Sequence, residues 1–204
     1  MPERFGYSEL LPENVREIFM WLCQDVASLH DKWSLYLGLY SDPETSDLLS
    51  ELALSTFQII EESLRSDMAA SISRLCDKAR WHGRERVSFK ALSSHLRDME
   101  GLDQMVEGFV KLCDPVVLYR HSRVGHNDLD TLIRPNENLS PGIARGLINE
   151  ICEKAGAILN FVLGKYEDTE MGFETPHAGD ADSLIYSFRL AKQYFDDRRR
   201  KQGS

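Results

Sequence analysis

Apolar residues recur along this chain at spacings of three and four, the period of one helical face, through most of its length. From Pro12 to about Gly38 the stripe runs through Val15, Ile18, Phe19, Leu22, Val26, Leu29, Trp33 and Tyr36. Proline suits the first helical turn, where its missing N–H has no partner to lose, and Ser41-Asp42-Pro43 closes the segment with a turn. A second stripe, Leu49, Leu52, Phe57, Ile60, Leu64, Met68, Ile72 and Leu75, predicts a helix from Asp47 to about Ala79. It is expected to be the longest helix and to pair with a neighbour along its whole length.

The pattern then breaks at Asp77 to Val87 (DKARWHGRERV), a charged stretch around Gly83 that reads as a loop. A short helix follows from about Ser88, with Phe89, Leu92, Leu96 and Met99 inward, and another from Asp103 to Cys113 with Met105, Val106, Phe109 and Leu112. Asp114-Pro115 resembles an N-cap and a first helical proline, predicting a new helix through Val116, Val117, Leu118, Tyr119 and Arg120. Asn127 to Leu139 is irregular and polar. Ser140-Pro141 caps the next helix, which carries Ile143, Leu147, Ile151, Ile158 and Val162 to about Gly164. Lys165 to Gly179 reads as a surface loop, and a last helix from about Asp182 uses Leu184, Ile185, Phe188, Leu190 and Tyr194 before dissolving into DDRRRKQGS. With no internal repeat, no persistent β alternation and no shift of composition, the expectation is one all-α domain over residues 1–204. It is expected to hold five to seven helices and no sheet, with about 1–11 and 197–204 as flexible termini.

Composition narrows the class. An apolar fraction of 42% and a charged fraction of 28% exclude a disordered or collagen-like chain. Lys+Arg 24 against Asp+Glu 33 leaves a net charge of −9, the opposite of a protein that coats nucleic acid through non-specific phosphate contacts. Charges in MPERFGYSELLPENVRE occupy the place of a leader's apolar stretch, and no uninterrupted apolar run approaches the ~20 residues of a membrane span. A cytoplasmic protein without membrane association is expected. Cys23, Cys76, Cys113 and Cys152 stand singly among apolar neighbours and read as reduced core thiols.

Glycine-rich phosphate loops, H-E-x-x-H helices and G-x-S-x-G elbows are absent. His30, His82, His95 and His177 stand alone and read as structural or incidental. The exception is Leu118 to Leu132 (LYRHSRVGHNDLDTL), where Arg120, His121, Arg123, His126 and Asp128 crowd together and could bind and cleave a phosphodiester. A metal site from His121, His126 and Asp128 is the weaker alternative, because the spacing fits no zinc pattern and the neighbouring guanidiniums repel a cation. The plain alternative is a solvated helix end, since an Arg followed five to seven positions later by a His is expected about once by chance in this composition. On an unbroken helix Arg120 and His126 stand about 120° apart. They converge if Gly125 kinks the backbone or if a second copy of the chain completes the site.

Arg120 to His126, read with Asn127-Asp128-Leu129, resembles the R-x(4-6)-H signature of the HEPN superfamily. The likeness is greatest to its AbiU branch of abortive-infection proteins, whose motif reads R-[ND]-K-x-x-A-H-x-D. Upstream, SLRSDMAASISRLCDKARWHGRERVSFKALSSHL (Ser63 to Leu96) resembles that branch's long second helix, charged loop and short third helix. Two positions depart from the pattern: His121 stands where Asn or Asp is usual, and Gly125 replaces alanine. Asp128 occupies the place of the tyrosine that is modified in some HEPN toxins.

The resemblance implies an HEPN-like helical bundle that dimerises about a two-fold axis, with two motifs facing one cleft. It implies a metal-independent endoribonuclease of toxin or phage-defence type, without a cofactor; an antitoxin or other regulatory protein is a candidate partner that the sequence does not identify. Arg120, His126 and His121 would be catalytic, with Arg123, Asn127 and Asp128 holding the RNA. Products would carry 2′,3′-cyclic phosphate and 5′-hydroxyl ends. The competing expectation, favoured by the charge of −9, is a non-catalytic HEPN-like dimer that binds a nucleotide, RNA or a protein partner.

Overall fold

A computed structural model of the chain describes residues 10–121, 145–173 and 178–202. Among them stand six helices and one small hairpin: α1 (Glu13–Tyr40), α2 (Pro43–Leu75), β1 (Arg80–Trp81), β2 (Arg84–Glu85), α3 (Phe89–His95), α4 (Leu102–Tyr119), α5 (Arg145–Leu163) and α6 (Ala178–Gln202). The architecture is the expected all-α bundle. None of these helices is long and apolar enough to cross a membrane. The chain divides into two compact units, Met1–Leu29 with Ser66–Phe173 and His30–Arg65 with Glu174–Ser204.

In the first unit the predicted stripes turn inward. Val15, Phe19, Leu22 and Val26 of α1, Ile72 and Leu75 of α2, Phe89 and Leu92 of α3, Val106, Phe109 and Val116 of α4, and Ile151, Ile158 and Leu159 of α5 are all buried. Phe89 and Phe109 meet edge to face with ring centroids 4.9 Å apart. Ser88 starts α3 by accepting the Ala91 N–H at 3.2 Å, and the Ser93 hydroxyl bonds the Asp103 carboxylate, tying α3 to α4.

The expected helix break at Asp114-Pro115 does not occur: α4 runs through Pro115 without interruption. The proline removes one intrahelical hydrogen bond. Cys113 and Val116 on either side are fully buried, and their packing keeps the segment helical. The expected loop at Asp77 to Val87 contains the antiparallel β1–β2 hairpin, whose register pairs Arg80 with Glu85 and Trp81 with Arg84. His82 and Gly83 both take positive φ, 48° and 76°, as a two-residue type I′ turn requires. The segment after α5 is not simply surface either. Asn160 accepts the Met171 N–H at 2.8 Å and donates to the Met171 carbonyl at 3.0 Å, and both Met171 and Phe173 are buried.

In the second unit Leu39, Leu48, Leu49 and Ile185 form the core, with Tyr40, Phe57 and Phe188 packed against it half-buried. Asp42 accepts both the N–H and the hydroxyl of Thr45 at 2.9 Å, so the predicted turn is also the N-cap of α2. Pro43 takes the first helical position, and α2 begins four residues before the expected Asp47. It is the longest helix, 33 residues, but its backbone leaves helical geometry at Ala53 (φ −163°, ψ 68°). No residue from Ser50 to Asp67 is buried, so little packing holds that stretch straight. The last helix does not dissolve at Asp196-Asp197 but continues to Gln202.

Candidate functional site

Of the motif residues, Arg120 and His121 are described; Arg123, His126, Asn127 and Asp128 lie outside the described residues. Arg120 is placed by the same periodicity that builds the core. Phe109, Cys113 and Val116 are fully buried along one face of α4, and Arg120 is the next position on that face. Its side chain is half-buried, where the hydrophobic floor ends, while His121, about 100° further round, is exposed. Among the described residues neither side chain forms a hydrogen bond or ion pair.

The backbone loosens at this point. Pro115 has already opened the hydrogen-bond ladder, and at Arg120 and His121 the helix widens into a π turn. The Arg120 N–H is shared between the carbonyls of Val116 and Val117. A guanidinium here also lies at the negative end of the α4 dipole, which favours a cation.

Beneath this end, the sequence concealed a convergence. Cys76 after α2, Cys113 on α4 and Cys152 on α5 come together although they are widely separated in the chain. The hydrogen bond that Cys113 shares with Cys76 favours the protonated thiol, and together with burial and the neighbouring thiols it pushes Cys113 far up. Burial holds Cys152 at about 12 and, elsewhere in the unit, Cys23 at about 12. Cys23, Cys113 and Cys152 are thus held protonated and serve as packing groups, not nucleophiles.

Among the described residues of the first unit, two clefts lie away from Arg120 and His121. One, of about 480 Å³, lies between α4 and α5 among Met105, Gly108, Phe109, Ile158 and Phe161. Gly108 is about 18 Å along the helix axis from Arg120 at ~1.5 Å per residue. The other, of about 620 Å³, is bordered by His95, Asp98, Lys165 and Tyr166. There His95 Nε2 lies 2.6 Å from Glu85 Oε1, and the Asn14 amide donates towards Nδ1 at 3.4 Å. Both ring nitrogens are thus engaged, and His95 pins β2 to α3 as a structural residue. Of the residues in the metal alternative only His121 is described.

The AbiU2 model of the HEPN group matches residues 12–186, a span that includes α1 through α5, the whole R-x(4-6)-H segment and the start of α6. No curated protein matches the chain, and no solved structure does.

Proposed function

From the premise that the chain belongs to the AbiU2 family of HEPN proteins, we propose that it is a metal-independent endoribonuclease of the abortive-infection type. The observation that carries this reading is the half-buried Arg120 at the loosened end of α4, without an ion pair among the described residues and opening the R-x(4-6)-H segment inside the matched span. Arg120 presents planar paired donors to the scissile phosphate and stabilises the charge of the pentacoordinate transition state. His126 takes the proton of the ribose 2′-hydroxyl, whose oxygen bonds to phosphorus as the bond to the 5′-oxygen breaks. A second His126, from a partner copy, protonates that leaving oxygen. The products are a 2′,3′-cyclic phosphate and a 5′-hydroxyl. Such proton transfers contribute about 10²- to 10⁴-fold each, and an imidazole titrating near pH ~6.5 suits both directions.

His121 acts as the orienting partner where the family carries Asn or Asp, and Arg123, Asn127 and Asp128 hold the RNA. The homodimer is part of the proposal because one chain supplies one imidazole at the reacting phosphate. Restraint by an antitoxin or another regulatory protein belongs to the same reading.

The test is cleavage of single-stranded RNA by the purified protein in EDTA. Wild type is expected to release cyclic-phosphate ends, and His126→Ala to lose at least about 10²-fold while keeping its helical circular dichroism. Full activity in His126→Ala, or activity lost in EDTA, contradicts the mechanism. The net charge of −9 favours a second reading, a non-catalytic dimer that binds RNA, a nucleotide or a protein. RNA bound without cleavage by a folded wild-type dimer would select it.

A further inference from the structure

The β1–β2 hairpin carries a surface that the motif does not use. Arg80, Trp81, His82, Arg84, Glu85 and Arg86 are all exposed, and Trp81 leaves 51% of its surface open. Residues paired across an antiparallel ladder project to the same face, and alternate residues along a strand share it. The Trp81–Arg84 pair therefore shares a face with Arg86, whose N–H bonds the Ala79 carbonyl at 2.9 Å. Arg80 and Glu85 take the opposite face, and there Glu85 is held by His95 at 2.6 Å. The anchor engages one face and leaves the tryptophan and two guanidiniums on the other. Lys78 reaches over the Trp81 ring, its Nζ 6.0 Å from the centroid, and the His82 ring stands edge-on to it at 4.7 Å. Among the described residues Arg80, Arg84 and Arg86 form no ion pair.

We propose that this hairpin is a binding site for single-stranded RNA, in which a base stacks on Trp81 and the flanking phosphates meet Arg84, Arg86 and Lys78. An exposed aromatic ring beside exposed guanidiniums matches a strand whose bases are unstacked, whereas a duplex hides its base faces. An acidic protein segment would satisfy the arginines and leave Trp81 in water. On a chain of net charge −9, four basic residues against Asp77 and Glu85 in this stretch make a local positive island. That island draws a polyanion to one place rather than along the whole surface. The choice of RNA rests on the ribonuclease reading; the stacking geometry does not.

Binding is measured by fluorescence anisotropy with a labelled single-stranded RNA 12-mer, in EDTA and on the His126→Ala variant of this chain, so that affinity is read apart from cleavage. Trp81→Ala is expected to weaken binding about tenfold, and Trp81→Phe to keep most of it. The same sequence as a duplex should bind weakly and ignore Trp81. Replacing Arg84 and Arg86 together by Ala should reduce the slope of log affinity against log salt by about 1.4, at ~0.7 per phosphate contact. Thermal melts of each variant establish that the fold is retained. RNA affinity unchanged in folded Trp81→Ala overturns the proposal, even where wild type cleaves RNA. Polyglutamate binding that depends on the arginines and not on Trp81 overturns it in favour of an acidic protein. Trp81-dependent RNA binding by a wild type that cleaves nothing supports the hairpin site and removes the ribonuclease reading instead.

Discussion

Phe89, Phe109, Ile151 and Ile158 of the first unit are hidden to 1% exposure or less, whereas Ile59, Tyr186, Tyr194 and Phe195 of the second keep 56–65% of their surface in water. Both units are built almost wholly from helices, so secondary structure does not separate them. The difference lies in how many elements share each core. In the first unit stripes from α1, α2, α3, α4 and α5 all contribute buried residues, and the second rests on Leu39, Leu48, Leu49 and Ile185. Stability is expected to concentrate accordingly, with local opening cheaper in the second unit. The candidate site belongs to the first: Arg120 continues the face of α4 that Phe109, Cys113 and Val116 bury. A catalytic guanidinium gains from such a floor because pre-organised charge needs no reorganisation during reaction.

The sharpest way to break that comparison is to remove one aromatic ring from each unit. Phe109→Ala takes out a fully buried ring set edge to face against Phe89 and should cost about 3–5 kcal/mol in urea unfolding. Phe188→Ala removes a half-buried ring 5.7 Å from Phe57 and should cost about 1–2 kcal/mol. Equal losses would mean that the second unit is as tightly packed as the first.

Where the periodicity met a deep core, the sequence was readable. Val15, Ile18, Phe19, Leu22, Val26, Leu29 and Trp33 were expected on one stripe of α1, and all are buried. It was misleading where a local rule competed with packing: Asp114-Pro115 has every mark of a helix start, and the burial of Cys113 and Val116 overrides it. The hairpin was missed because its strands are exposed on both faces, so no apolar alternation announces them. Its available signal was the His82-Gly83 pair, a two-residue turn with glycine second. At the site, helical phase places Arg120 inward and His121 outward. Nothing in the linear spacing predicts that Cys76, Cys113 and Cys152 meet, because three separate elements bring them together.

A pair of glycines tests the packing difference with a single methyl group. Gly38 lies where α1 meets α6 in the second unit, and an added Cβ would collide with the Cβ of Ala181, which has no rotamer to yield. Gly38→Ala should cost about 1–3 kcal/mol. Gly108, inside α4 of the first unit, has nothing within 4 Å of the added Cβ. Gly108→Ala should therefore stabilise by about 0.5–1 kcal/mol through helix propensity alone. The second unit then appears as a place with loose surfaces but one tight helix crossing, and chemical denaturation of both variants reads the two signs directly. A neutral Gly38→Ala would show that the crossing relaxes freely.

The smallest expected effect is a pH dependence carried by Tyr40 in the second unit. Its hydroxyl donates to the Phe57 carbonyl at 2.8 Å, joining the end of α1 to α2. Burial, then the Glu61 carboxylate and Tyr36, push its phenol up to about 12 from an ordinary value of 10.0. Because the folded value lies above the unfolded one, the fold prefers the protonated phenol. This contribution is complete below pH ~10 and is lost as pH rises towards 12. The buried thiols of Cys23 and Cys152 impose the same sign of loss on the first unit, from their ordinary 9.0 towards about 12. Wild type alone would therefore mix the two units, and the difference between wild type and Tyr40→Phe isolates the second. Tyr40→Phe should lose a small, constant amount at pH 8 and then decline less steeply than wild type above pH ~10. Urea midpoints of the two proteins at pH 8, 10 and 11 would converge on this account, because deprotonation removes from wild type the donor that the variant already lacks. Parallel declines would place the alkaline loss elsewhere and leave Tyr40 without a role in it.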